Sequence, residues 1–355
     1  MSEQSEFLAR VLRTGARTFA AYAATELLRT SSEHDASRGG EAFAVWQQWL
    51  CVRVEELSAA LAAEQPSLFK TQVQWARDCA SARGVSSDHV RAGLLALRDV
   101  LQTELPAPVR PLADRYLEVA FEVFDTEPAG LSSGLSADSR YGRLASSYLL
   151  AIFEGDRRRA SRLLLDAVDK PETVRALYAR VLLPAQAELG RMWLAGEINV
   201  AEEHFASQTT KMVMGQLLAR AAIMPPNGKT MLAAAVTGNW HDIGLCALAD
   251  VFEMAGWRSI QLGADVPAAD VVQAVEFFDA DLLALSATLH VQIQTVKATI
   301  QAVRSGPRGD VVKILVGGLA FNGTPHLATG IGADGHAYDL DEAERLAARL
   351  VGLTT

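Results

Sequence analysis

From residue 229 onward, short apolar runs alternate with stretches of helical period, and this constrains the fold more than any other feature of the chain. The runs lie at 229–236, 257–262, 280–287, 312–316 and 334–338, with helical segments of about 10 to 15 residues between them. Such alternation predicts a doubly wound parallel sheet. The first unit is the most informative. Lys229 to Val236 is an apolar run of strand length, and Leu245 to Gly256 is apolar at helical spacing. Between them, Asn239-Trp240-His241-Asp242-Ile243-Gly244 places a histidine in a glycine-flanked turn. The carboxyl end of a parallel strand is where an open α/β sheet binds its ligand. A lone histidine there reads first as a cap or a core residue. Two further features fall on the same edge: Ser286-Ala-Thr288 after the third run, and Gly317-Gly318 after the fourth.

The preceding segment reads differently. Helical stretches at 138–154, 156–169, 171–194 and 200–222 follow one another across the short breaks Glu154-Gly-Asp156, Asp169-Lys-Pro171 and Ala195-Gly-Glu197. Long helices joined that tightly are antiparallel neighbours, hence a four-helix bundle over 138–225, with Pro171 at a helix start. Residues 126–137 are rich in Gly, Ser and Pro without apolar periodicity and read as a linker. Residues 1–125 read as an all-helical domain, with helices near 4–30, 40–64, 67–82, 86–104 and 107–124. In that domain Trp46, Trp49, Cys51, Trp75 and Cys79 could line a pocket for a flat ligand. At helical spacing they read first as packed core. His34 falls in a polar loop and His89 follows the cap-like Ser86-Ser87-Asp88.

Composition narrows the function. With 355 residues, half of them apolar, two or three domains are expected. No run approaches the roughly 20 apolar residues of a membrane span, and the N-terminus lacks the basic start of a signal peptide, so a cytoplasmic protein is expected. Cys51, Cys79 and Cys246 are too few and too scattered for a disulfide framework or a CxxC metal site, and read as small buried residues. The formal net charge is −9, residues 1–135 hold 13 Lys and Arg against 18 Asp and Glu, and no segment stands out as locally basic. Direct nucleic-acid binding is not expected.

The three strand-end elements together resemble the signature of the cobalamin-binding domain family: Asp-x-His-x-x-Gly, 41 residues, Ser-x-Leu, 26 to 28 residues, Gly-Gly. Here Asn239-x-His241-x-x-Gly244 is followed after 41 residues by Ser286-x-Thr288, and 28 residues later by Gly317-Gly318. The resemblance implies that His241 is the lower ligand of cobalt. Asn239 and Asp242 stand beside it, and Gly244, Ser286, Thr288, Gly317 and Gly318 line the path of the displaced nucleotide tail. An imidazole is a suitable axial donor, and glycines let backbone come close to a buried base. Asn239 replaces the family's acid, so a neutral amide oxygen is expected as the partner of the His241 ring and donation to cobalt should be weaker. Thr288 replaces the leucine.

A second resemblance lies in the bundle. Trp193, nine residues, then Glu203-His204 is similar to the Trp-x9-Glu-His motif of the light-dependent cobalamin photoreceptors related to the CarH and LitR regulators. It implies that Trp193 caps the adenosyl group of adenosylcobalamin, that Val200 and Glu203 contact the adenosine, and that His204 binds cobalt after light has removed that group. Val200, Glu203 and His204 share one helix face. Those regulators carry a winged-helix head, whereas residues 1–125 here look more like the globin-like sensor domains placed ahead of signalling modules. Such an architecture resembles the photocobilins, with biliverdin as a second chromophore; Cys51 or Cys79 could anchor it. The expected protein is a non-enzymatic light sensor that signals through homo-oligomer assembly or an unknown protein effector. The alternatives are a corrinoid methyl carrier serving a separate methyltransferase, an antirepressor, and a haem- or fatty-acid-binding N-terminal domain.

Overall fold

The structure, a computed structural model, describes residues 2–30, 41–128, 130–168, 173–322 and 326–353. His34 and the break at Asp169-Lys170-Pro171 lie outside the described residues. The chain divides into two compact units, Met1–Leu131 and Ser132–Thr355. Among the described residues, no helix is long and apolar enough to cross a membrane.

The first unit is helical: α1 (Glu3–Thr30), α2 (Ala42–Ala62), α3 (Pro66–Ala82), α4 (Ser87–Glu104) and α5 (Arg110–Phe121). Leu8, Leu12, Ala16, Ala20, Ala23 and Leu27 recur at three- and four-residue intervals along α1 and are buried, the pattern of a helix with one core face. Leu50, Val54, Leu57 and Leu61 do the same on α2. Ser86 caps α4 by accepting from the Asp88 amide. Trp46 is buried and meets Trp49 edge to face at 5.7 Å, but Trp75 is 41 % exposed and is not the core residue its spacing implied. The three cysteines are free and half-buried rather than fully buried.

The second unit joins a bundle to a sheet. The bundle comprises α6 (Arg140–Phe153), α7 (Arg157–Leu165), α8 (Thr173–Leu177) continuing through a π-helical turn (Tyr178–Leu182) into α9 (Leu183–Ala195), and α10 (Val200–Leu218). The expected continuous helix at 171–194 is thus interrupted by that turn. Gly196, in the left-handed region, ends α9, and Asn199 starts α10 with a reciprocal capping box to Glu202.

The sheet has the strands β1 (Thr230–Val236), β2 (Arg258–Val266), β3 (Leu282–Ser286), β4 (Lys313–Gly317) and β5 (Gly335–Ala337), all parallel, in the order β2-β1-β3-β4-β5. Its helices are α11 (Ile243–Met254), α12 (Ala268–Phe277), α13 (Ile293–Arg304), α14 (His326–Gly330) and α15 (Leu340–Leu350). Every residue of β1 is buried, as a central strand covered on both faces requires. The bundle core of Tyr148, Leu177, Val181, Leu189 and Val213 continues into Ala247, Val251 and Met254 of α11 and Leu340 of α15. The bundle therefore sits on the face of the sheet that carries α11 and α15.

One expectation about charge is corrected. Arg157, Arg158 and Arg162 of α7 and Arg220 beyond α10 are exposed around a shared groove, so a basic surface exists within an acidic chain. Arg157, Arg158 and Arg162 already stand together in the sequence, in the basic run Arg157-Arg158-Arg159-Ala160-Ser161-Arg162, and the bundle adds Arg220 to them.

Candidate functional site at the carboxyl edge of the sheet

The strand order reverses between β1 and β3, so the loops leaving these two strands diverge and open a crevice between them. His241 lies in the first loop and is exposed. The loop is held firmly. Gly238 has a φ of +80° and its N–H donates to Asp265 Oδ1 at 2.7 Å. Its carbonyl accepts from Gln292 Nε2 at 2.8 Å. Gln292 also accepts from the Thr288 and Leu289 amides at 2.9 and 3.0 Å, tying the loop after β1 to the loop after β3.

Asn239 departs from the role its position implied. It is 0 % exposed. Its Oδ1 accepts from the His241 amide at 3.2 Å and its Nδ2 donates to the Ser286 carbonyl at 3.0 Å. Both ends of the amide therefore hold backbone, and the expected hydrogen bond to the imidazole ring is not formed. Ser286 ends β3, where its carbonyl takes that bond, and Thr288 is half-buried one turn on. Asp242 pairs with Lys211 of α10 at 2.7 Å.

The glycines divide by cause. A Cβ on Gly244 would meet nothing within 4 Å, so the first turn of α11 leaves open space beside His241. Gly318, at φ +98°, is required by the protein itself, because a Cβ there would lie 2.2 Å from the Ala287 carbonyl oxygen. On Gly317 it would lie 3.3 Å from the Ala337 oxygen. The close approach demanded of this pair is thus to neighbouring strand ends.

The edge is lined with uncovered apolar groups. Trp240 after β1 is 73 % exposed, Leu289 after β3 46 %, Leu319 after β4 63 % and Tyr338 after β5 53 %. Exposed large apolar side chains at four successive strand ends make a platform that marks a binding surface rather than ordinary surface scatter. His336 of β5 stands beside it, stacked edge-on with Tyr338 at 4.3 Å, and burial pushes its ring pKa down.

Helix α10, which carries most of the bundle's candidate site residues, is tied to the loop after β1. Lys211 pairs with Asp242 at the start of α11, and one turn later Tyr178 Oη donates at 2.7 Å to Asp250 Oδ2 while lying 2.9 Å from the Met214 carbonyl. Both links run in the same direction along the two helices. His204 lies seven residues before Lys211, about 10 Å along the axis of α10. His204 Nδ1 is 2.7 Å from Glu203 Oε2, and Glu203 Oε1 accepts from Ser207 Oγ. The His204 side chain is 72 % exposed. Trp193 and Val200 are exposed as well. Trp193, Val200 and His204 are thus exposed at the end of α9 and the start of α10, and His241 is exposed in the loop after β1. The sequence reading missed Gln292, Asp265 and Lys211. Only the buried glutamine at 292, beside a strand end, left any local signal.

A planar macrocycle fits this arrangement. Among the described residues, no group of three or more His, Cys, Asp or Glu converges on a point that could hold a bare ion. A single exposed imidazole at a sheet edge with exposed apolar side chains at its strand ends suits a metal whose equatorial ligands come from the macrocycle.

Comparison with known proteins agrees with this geometry. Residues 229–353 match the family described as B12 binding domain, and residues 144–218 match a second family of the same description. A corrinoid protein of Desulfitobacterium hafniense is 28 % identical over 206 residues, covering 57 % of this chain and 94 % of that protein. The HTH-type transcriptional repressor CarH of Myxococcus xanthus is 28 % identical over 209 residues, 59 % of this chain and 68 % of that one. The dimethylamine corrinoid protein of Methanosarcina barkeri is 31 % identical over 116 residues, 33 % of this chain and 54 % of its own length. The chain thus spans about half of that last relative. It carries B12-binding domains, and a corrinoid is the cofactor they support.

Proposed function

We propose that the protein is a light sensor that holds adenosylcobalamin, base-off, between the bundle and the sheet. The observation that carries this reading is the exposed group at the start of α10, where Trp193 and Val200 are uncovered and His204 rests on Glu203 at 2.7 Å, in the same unit as the exposed His241. Similarity to the HTH-type transcriptional repressor CarH supports a regulatory rather than a carrier role.

Adenosylcobalamin supplies a cobalt–carbon bond that visible light cleaves. His241 offers the lower nitrogen, from a loop already fixed by Asn239, Asp265 and Gln292. Trp193 excludes water from the upper face with its large indole, and Val200 adds apolar cover. Glu203 accepts hydrogen bonds from ribose hydroxyls. His204, which rests on Glu203, would be the residue able to turn toward cobalt and ligate it once light had removed the adenosyl group. The first turns of α10 move with it, and because the two states bind differently the bundle's equilibrium shifts. The output is a change in assembly or in binding to a protein effector.

The rival reading, a corrinoid methyl carrier, is favoured by the 31 % identity to a dimethylamine corrinoid protein. It assigns no task to Glu203 and His204. One experiment separates the two. The protein is reconstituted with adenosylcobalamin in darkness and its absorbance recorded before and after green light. A changed spectrum is expected, with His204→Ala binding normally in the dark but lacking the photoproduct of the native chain. An unchanged spectrum refutes the sensor, and methyl transfer from methylcobalamin to a thiol acceptor establishes the carrier.

The first unit is the place for biliverdin as a second chromophore. Arg53 and Glu56 form a buried pair at 2.7 Å, yet Arg53 Nε and Glu56 Oε2 have no hydrogen-bond partner. Burial pushes the Glu56 carboxyl up to about 7. The Arg53 guanidinium lies 5.2 Å from the Trp49 ring centroid. A buried unmet donor and acceptor beside paired indoles suit a flat molecule with carboxylates and pyrrole N–H groups. Non-covalent binding is favoured, since burial pushes the Cys51 and Cys79 thiols up and away from the reactive thiolate. Biliverdin added to the protein should give a red-shifted band that stays with it through gel filtration and is lost in Arg53→Met.

A further inference from the structure

Two exposed surfaces of the second unit are complementary in charge and each holds uncovered apolar groups. The first is a groove of about 690 Å³ between α7 and α10. Leu165, Met212 and Ala219 line it with apolar surface, and Arg157, Arg158, Arg162 and Arg220 surround it. Among the described residues, no hydrogen bond or ion pair engages the guanidinium groups of Arg157, Arg158 or Arg162, whereas Arg220 donates to the Leu165 carbonyl at 3.2 Å. The second surface is α12. Asp270, Gln273, Ala274 and Phe277 recur there at helical spacing along one exposed stripe, with Glu276 beside them. Phe277 is 81 % exposed, the most exposed of the large apolar side chains. An aromatic side chain left in water beside two carboxylates is the counterpart of an apolar groove ringed by guanidinium groups.

We propose that α12 of one copy of this chain docks into the α7–α10 groove of a second copy, with Phe277 on Leu165 and Met212 and with Asp270 and Glu276 against Arg157, Arg158 and Arg162. The chain's own groove is out of reach. The bundle packs on the sheet face that carries α11 and α15, while right-handed crossovers put α12 and α13 on the opposite face. The contact is heterologous, so it closes into a dimer only when two copies engage reciprocally, and otherwise extends into a chain. It deepens the assembly reading given above by naming the surface, and it rests on that reading only for its link to light. With an overall charge of −9, two copies repel except where these patches face each other, so the association weakens as salt screens the pairing.

The test is the mass of the full-length protein by light scattering, in darkness and without added cofactor. The native chain should exceed monomer mass at about 0.05 M salt and fall toward it at about 0.5 M. Phe277→Ser should weaken association by roughly 30-fold, as loss of a central aromatic anchor does. Two charge-reversal chains decide the matter: Arg157→Glu with Arg158→Glu and Arg162→Glu, and separately Asp270→Lys with Glu276→Lys. Each alone should be monomeric, and an equimolar mixture should reassociate, because acid then meets base at both contacts. Masses unchanged by reversal, a mixture that stays monomeric, or a native chain that is monomeric at all concentrations would overturn the proposal. So would loss of duplex-DNA binding in the arginine variant at unchanged mass, which would assign the groove to nucleic acid. A mass that answers to charge reversal but not to light leaves the contact standing and removes only the photoswitch.

Discussion

Asn239 shows how one buried side chain can set the loop that carries His241. Its amide needs both a donor and an acceptor, for the Ser286 carbonyl and the His241 N–H respectively. An ionised aspartate could accept but not donate. Asn239→Asp is therefore expected to lower the stability of the cofactor-free protein by about 1–3 kcal/mol, the cost of a buried carbonyl left unpaired, and urea denaturation would measure it. Equal stability would show that the donation to Ser286 is dispensable. Gly318 makes a second residue-scale prediction. Gly318→Ala forces a Cβ to 2.2 Å from the Ala287 oxygen at a φ of +98°, so a loss of at least about 2 kcal/mol is expected in the same assay. Gly244→Ala meets open space and should cost little stability while weakening cobalamin binding. At this scale the types and spacing of the site residues were legible in the sequence, but their partners were not. A glycine pair at a strand end looks the same whether it makes room for a ligand or for the neighbouring strand.

Between elements, the junction of α10 and α11 is the part that must respond if events at His204 are to reach the rest of the unit. Tyr178 leaves the π-helical turn to bridge the Met214 carbonyl and the Asp250 carboxylate. A single widened turn of this kind re-aims one side chain without ending the helix, and such turns recur at functional positions. Burial pushes the Asp250 carboxyl up to about 6; the hydrogen bond from Tyr178 pulls it down and Glu253 pushes it further up. The sign follows from linkage. Between pH 4 and 6 the folded state binds the proton more tightly than the unfolded state, so this group's stabilising contribution is complete below about pH 4 and lost as pH rises through 6. Asp250→Asn should flatten the pH dependence of unfolding over that window, and melting temperatures from pH 4.5 to 7.5 would show it. The helices on either side were predictable from periodicity. The π turn was not, because it changes the phase of the helix without changing its apolar pattern.

Across the whole molecule, the break after Leu131 separates two units with their own cores, so the two proposed cofactors can be separated by truncation. A chain beginning at Ser132 should still bind cobalamin with its affinity little changed and should lose biliverdin binding, as absorbance titration would show. Loss of both would mean that the cobalamin site depends on the first unit. The sequence by itself determined the succession of helices and strands, the parallel sheet and the spacing of His241, Ser286 and Gly317, because apolar period and turn chemistry act over a few residues. Only the tertiary structure decided that Asn239 serves the backbone, that Arg220 joins the arginines of α7 around one groove, and that α10 is tied to the start of α11 through Lys211 and Asp242. Each of these depends on which distant residues meet, and packing of the completed chain, not local preference, fixes that.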